Sequence, residues 1–137
     1  MKIAVAIDGS DNALRAAEHA IMLTTYLPKA ELEVIYVADY KKAVDDRLLS
    51  QNPEGLALKR EQILHPVLER TEAAEIDVKT TILKGNPSQE IIKYVNDAKI
   101  DKLVLGSRGL NVFQEMILGS VSHKVMKHAA CPVTIVK

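Results

Sequence analysis

The sequence predicts an α/β fold, a single-domain open parallel sheet of five strands with helices on both faces. Three observations point there. Short apolar runs without a period of two recur along the chain, as in strands covered on both sides. Between them lie stretches whose apolar residues repeat every three or four positions, the pattern of amphipathic helices. The alternation of the two has the spacing of right-handed βαβ crossovers. No internal repeat, low-complexity tract or linker interrupts it, and 137 residues fit one domain spanning 1–137.

Ile3-Ala-Val-Ala-Ile7 is the first run, and it stops at Asp8-Gly9-Ser10. Leu14, Ala17, Ala20 and Ile21 then predict a helix of about four turns, capped by Ser10 or Asp11 and ending before Pro28. Glu31 to Ala38, rich in β-branched residues, is the second strand. The polar stretch Asp39 to Asn52 reads as loop or frayed helix. A long helix starts at Pro53-Glu54 and shows one face through Leu56, Ile63, Val67, Leu68 and Ala74. Pro66 predicts that it is kinked or split, because proline has no N–H for the ladder and its ring crowds the preceding turn.

Val78 to Leu83 is the third strand. After Gly85, Asn86 is placed as N-cap, Pro87 as first helical residue and Gln89 three positions beyond the cap, with Ile91, Ile92, Val95 and Ala98 on the buried side. Lys102 to Leu105 is a short buried strand, and Gly106 to Gly119 a long loop with room for a helical turn. Val121, Val125 and Ala129 define the last helix, which Cys131-Pro132 ends before the strand Val133 to Val136.

Composition removes several classes of function. Hydrophobic residues make up 47% and charged residues 26%, which is a globular chain able to bury a core. Eighteen Lys+Arg balance eighteen Asp+Glu, so no chain-wide basic field exists and a nucleic-acid partner is not expected. The apolar runs fall far short of the ~20 residues a spanning helix requires, and the start of the chain lacks a signal-peptide pattern. No membrane association is expected, and a cytoplasmic location is the default. Cys131 is the single cysteine, which excludes an internal disulfide; before Pro132 it reads as a buried, unreactive thiol. His19, His65, His123 and His128 lack zinc-site spacing, so no protein-held metal is expected.

Open α/β sheets bind ligands beyond the carboxyl ends of their strands, where strand order reverses. Asp8-Gly9-Ser10 lies at one such end. Its acid and flexible pair suit a sugar hydroxyl or a cation, and equally suit a plain capping turn. Gly106-Ser-Arg-Gly109 lies at another, followed by nine residues and then Gly119-Ser120-Val121-Ser122 at the start of the last helix. Glycines let backbone amides reach an anion, and a helix N-terminus offers unpaired N–H groups with partial positive charge. Phosphate is the natural guest. Ser107, Ser120 and Ser122 offer hydroxyls and Arg108 a charge, while His123 and Lys124 follow closely enough to be weighed for a terminal phosphate. Neither the Walker pattern nor Gly-x-Gly-x-x-Gly occurs.

The Gly-x2-Gly-x9-Gly-Ser spacing, with Ile3-Ala-Val-Ala-Ile-Asp8-Gly-Ser10 before it and Ala130-Cys-Pro-Val-Thr-Ile-Val136 after it, resembles the universal stress protein family over almost the whole chain. The resemblance implies a Rossmann-like sheet of the adenine nucleotide alpha hydrolase-like kind, order 3-2-1-4-5. It implies that Gly106, Gly109, Gly119 and Ser120, with Val121 and Ser122, surround ribose and phosphates. It further implies Asp8 near the ribose, the Val37 backbone on the adenine edge, and Ala6 and Leu105 against base or sugar. The implied ligand is ATP, or ADP or AMP, with Mg2+ or Mn2+ on the phosphates.

Val133 to Val136 is then an edge strand, through which the resemblance implies a homodimer. The function implied is that of an ATP-binding stress-response or signalling regulator. Two alternatives stand beside it: a dimeric interaction module that binds no nucleotide, and a very slow ATPase or an autophosphorylating protein acting through Ser107, Ser120 or Ser122. Of acidic residues only Asp8 is placed near the phosphates, so no catalytic set supports a fast enzyme. A receiver-type domain is disfavoured, since Lys84-Gly85 stands where it needs an aspartate. The sequence names no protein partner.

Overall fold

The elements follow the expected alternation: β1 (Lys2–Ile7), α1 (Asp11–Tyr26), β2 (Glu31–Ala38), α2 (Pro53–Ala73), β3 (Val78–Lys84), α3 (Pro87–Asp97), β4 (Lys102–Gly106), α4 (Ser120–His128) and β5 (Val133–Val136). A computed structural model describes residues 1–38, 53–108 and 118–137. The expected loop or frayed helix from Asp39 to Asn52, and the middle of the Gly106 to Gly119 loop, lie outside the described residues. The five strands form one sheet of order β3-β2-β1-β4-β5, and every pairing is parallel. Among the described residues no helix is long and apolar enough to cross a membrane.

Both faces of the sheet are packed, which is why the strand sequences are continuous apolar runs rather than alternating ones. Ile3, Val5 and Ile7 of β1 face α1 and α2, meeting Ala13, Ala16, Ala17 and Ala20 of the one and Leu64 and Val67 of the other. Ala4 of β1, with Ile35, Leu103 and Leu105, faces Ile91 and Val95 of α3 and Val125 of α4. Each fully buried aliphatic side chain contributes about 1.5–3 kcal/mol. The alanine face of α1 lets that helix lie close against the sheet.

The helix starts are set by local chemistry. Ser10 caps α1 by accepting a hydrogen bond from Ala13 N at 3.1 Å, and Asn86 caps α3 by accepting one from Gln89 N at 3.2 Å, with Pro87 in the first turn. Gly9, at φ +90, takes the left-handed turn that L side chains avoid.

Two expectations are corrected. Of the two outcomes expected at Pro66, the split does not occur: α2 is one continuous helix with the proline inside it. Leu64 and Val67, 5% and 1% exposed on either side of the proline, hold the helix against the core, while the carbonyl that loses its helical partner to the proline belongs to Gln62, an exposed residue. Cys131, expected to be buried, is half-buried: it precedes the edge strand β5 and packs on the rim of the core cluster around Leu103 and Val125. Partial burial pushes its thiol pKa up, so it stays protonated near neutrality, in keeping with low reactivity.

Glu33 of β2 is an acid in an apolar strand and is only 7% exposed. Thr81 Oγ1 and Tyr94 OH both donate to its Oε1, and Lys79 Nζ lies 3.4 Å away at the rim. The carboxylate thus joins β2, β3 and α3. At the far end of the sheet core, Gly106 closes β4: an added Cβ there would lie 2.8 Å from Asn12 C and 2.9 Å from Ala13 N, both α1 backbone atoms that cannot yield.

Glu33→Ala is expected to cost about 1–3 kcal/mol in urea unfolding, because Thr81 and Tyr94 lose their acceptor, with Glu33→Gln retaining part of the loss. Gly106→Ala is expected to cost about 1–3 kcal/mol in the same measurement through overpacking against α1.

Candidate functional site

In this order the chain leaves β1 toward β2 and returns from β3 to β4, so the switch point lies between β1 and β4. A cleft of about 220 Å³ opens there, beyond the carboxyl ends of the strands. One part of its wall is apolar, formed by Ala6, Ile35, Val37 and Leu105 from three strands and by Pro87 and Ile91 from the start of α3. The other part is polar, formed by Asp8, Ser10, Gly106 and Arg108 with the first turn of α4, Gly119 to Ser122.

The structure therefore brings Ala6, Asp8, Val37, Leu105, Gly106, Gly119, Ser120, Val121 and Ser122 to one cleft, although they come from four separate segments. Gly109, singled out with them, lies outside the described residues. His123 and Lys124 are exposed and do not line the cleft.

Asp8 belongs to the turn as well as to the cleft. Its Oδ1 accepts from Ser10 N at 2.9 Å and from Ser10 Oγ at 2.6 Å, so the capping reading of Asp8-Gly9-Ser10 holds and the carboxylate is fixed at the cleft wall by the same contacts. The glycines differ in their reasons. Gly106 is required by its approach to α1, a packing constraint distinct from anion access. Gly119 starts α4 and supplies no capping side chain, whereas α1 and α3 each have one. The first-turn amides of α4 at Ser120, Val121 and Ser122 precede the helix's own hydrogen-bond ladder, which begins with His123 N donating to Gly119 O at 2.9 Å. They stand at the wall of the cleft with the positive end of the helix dipole.

The three serines named as donors also separate. Ser122 spends its hydroxyl proton on Gly106 O at 2.7 Å and is 7% exposed. Ser107 is 5% exposed, accepts from Asn12 Nδ2 at 3.1 Å, and does not line the cleft. Ser120 is exposed at the cleft. Sequence reasoning missed Ile35, Pro87 and Ile91. The signal was present, since Pro87 and Ile91 share a helix face one turn after the strand end at Lys84. Among the described residues no group of three or more His, Cys, Asp or Glu is placed to hold a metal.

The model of the universal stress protein family matches residues 1–137. Universal stress protein MJ0531 of Methanocaldococcus jannaschii is 34% identical over 142 residues, covering 99% of this chain and 81% of that protein. Among solved structures, MJ0577 of the same organism superposes with a TM-score of 0.86 at 27% identity, covering 99% of this chain and 94% of the other. A universal stress protein crystallised in complex with cAMP superposes with a TM-score of 0.71 at 25% identity, covering 100% and 96%. With its whole length matched by the family model, and a relative 34% identical over 99% of it, the chain belongs to the universal stress protein family.

Proposed function

We propose that the chain binds an adenine nucleotide, ATP or its relatives ADP and AMP, in the cleft between β1 and β4, and acts as a nucleotide-dependent regulator of a stress response in the cytoplasm. The observation that carries this reading is the start of α4. A helix N-terminus without a side-chain cap opens on the polar part of a cleft whose remaining wall is apolar. Phosphates suit the first, and a purine suits the second, against Ala6, Val37, Leu105, Pro87 and Ile91. The cAMP complex of a relative supports an adenine ligand in this fold. Asp8, on the polar wall, is the acceptor we assign to a ribose hydroxyl, which would donate to its carboxyl oxygen. Mg2+ or Mn2+ would be held chiefly by the phosphates, with Asp8 the acid of the cleft wall.

The regulator is proposed to act as a homodimer through β5. Within a strand, N–H and C=O of one residue point to the same edge and successive residues alternate edges. Pro132 O accepts from Leu103 N at 3.0 Å and Val136 O from Ser107 N at 2.7 Å, so these positions face β4 and Val133 and Ile135 face outward. An apolar edge with outward-facing backbone groups favours another strand.

Two outcomes are expected. In thermal unfolding, MgATP at about 100 times its Kd adds about 2.7 kcal/mol and raises the melting temperature by roughly 5–15 °C. Gly119→Val and Ser120→Glu are expected to lose this rise. The Ser120→Glu protein without ligand is stabilised by about 0.3–1 kcal/mol, because an acid suits a helix start. Absence of a rise in the unaltered protein would support the nucleotide-free interaction module. In light scattering, Ile135→Pro is expected to give a monomer mass, since it removes an outward N–H while leaving the β4 ladder intact; an unchanged dimer mass overturns the β5 interface.

A further inference from the structure

The first turn of α1 carries a chain of hydrogen bonds with no part so far in ligand binding. Arg15 Nε donates to Lys137 O at 2.8 Å, and Arg15 Nη2 donates to Asn12 Oδ1. A guanidinium has only donors, so it settles which way the Asn12 amide faces: Oδ1 toward Arg15 and Nδ2 away from it. Asn12 Nδ2 donates to Ser107 Oγ at 3.1 Å, across 95 positions of sequence. Ser107 in turn holds two segments by its backbone. Its N–H donates to Val136 O at 2.7 Å, and its carbonyl accepts from Gly119 N at 2.7 Å. Gly119 is the residue from which α4 starts.

We propose that Asn12, oriented by Arg15, is a positioning residue for the phosphate end of the cleft: it fixes Ser107, and Ser107 fixes Gly119 and with it the first-turn amides of α4. This assignment rests on the adenine-nucleotide reading above. Asn12 itself does not line the cleft, so its influence passes through Ser107. A helix terminus binds an anion well when its N–H groups converge before the ligand arrives, because no ordering cost is then met on binding. Gly106 brings the backbone of β4 against Asn12 and Ala13, and the Asn12 amide converts that approach into a defined orientation of the next residue. The apolar wall at Val37, Pro87 and Ile91 has no link in this chain of contacts. The effect is therefore selective, and phosphate recognition depends on Asn12 while adenosine recognition does not.

The test compares the unaltered protein with Asn12→Ala, Ser107→Ala and the double variant, titrated calorimetrically with AMP and with adenosine. Amide exchange at Gly119 and Val5 is followed without ligand. Asn12→Ala is expected to weaken AMP about tenfold, the size of one hydrogen bond's net contribution, and adenosine by less than about twofold. The double variant is expected to bind AMP about as Asn12→Ala does, because the two residues act in series. Exchange at the Gly119 N–H is expected to rise about tenfold in Asn12→Ala, with Val5 unchanged. Equal weakening of AMP and adenosine, additive losses in the double variant, or unchanged exchange at Gly119 overturns the positioning role. If the unaltered protein binds neither ligand, the nucleotide reading fails and this assignment with it. If it binds AMP while Asn12→Ala leaves AMP affinity and Gly119 exchange unaltered, the positioning role alone fails.

Discussion

The approach of β4's last residue to the first turn of α1 is the constraint on which the site depends. At Gly106 there is no room for a Cβ, since the space belongs to the backbone of Asn12 and Ala13. Backbone against backbone is the closest contact a strand and a helix can make, and it cannot be reached with any other residue. From it follow the placement of Ser107, which meets Val136 and Gly119, and the anchoring of α4 through Ser122 Oγ on Gly106 O. The alanines of α1 repeat the principle along the helix, where small side chains let it lie close to β1 and β4.

The cleft combines two solvents in a small volume. Strand ends and the start of α3 supply apolar surface, while the two turns and the start of α4 supply donors, an acid and an arginine. Backbone capping separates the helices by role. α1 and α3 satisfy their first amides with Ser10 and Asn86, whereas α4 begins at a glycine with no side chain to offer. Asp8 is tied to both donors of Ser10, so an acid stands at the wall in a fixed place.

The two sheet edges are also unlike. β3 carries Lys79, Thr80, Thr81 and Lys84, and Lys79 is held above its ordinary pKa chiefly by the charge of Glu33, then by the Tyr94 hydroxyl. A cationic, hydroxylated edge discourages strand addition. β5 is four residues of Val, Thr and Ile, all half-buried within one chain. The asymmetry follows from the sheet order, which puts a polar strand at one end and an apolar one at the other.

Much of this was legible in the chain itself. Residues close in sequence govern strands, caps and turns, so Ser10 or Asp11, and Asn86, could be read as caps, Asp8 and Gly106 as strand-end residues, and Gly119 as the start of the last helix, from their neighbours alone. Tertiary structure decided the rest, because those outcomes depend on contacts across the sheet. Pro66 stays within one helix because Leu64 and Val67 are buried against α1. Pro87 and Ile91 reach the cleft because α3 packs on β2 and β3 and against α4 on that face of the sheet. Ser122 turns to Gly106 O, and Ser107 to Asn12, because the crossover geometry places partners beside them that lie 16 and 95 positions away. The sequence by itself determined which local elements form and which residues end the strands. The packing of helices on the sheet alone decided which hydroxyls and amides remain for a ligand, since a polar group commits to whichever partner the fold brings within hydrogen-bond reach.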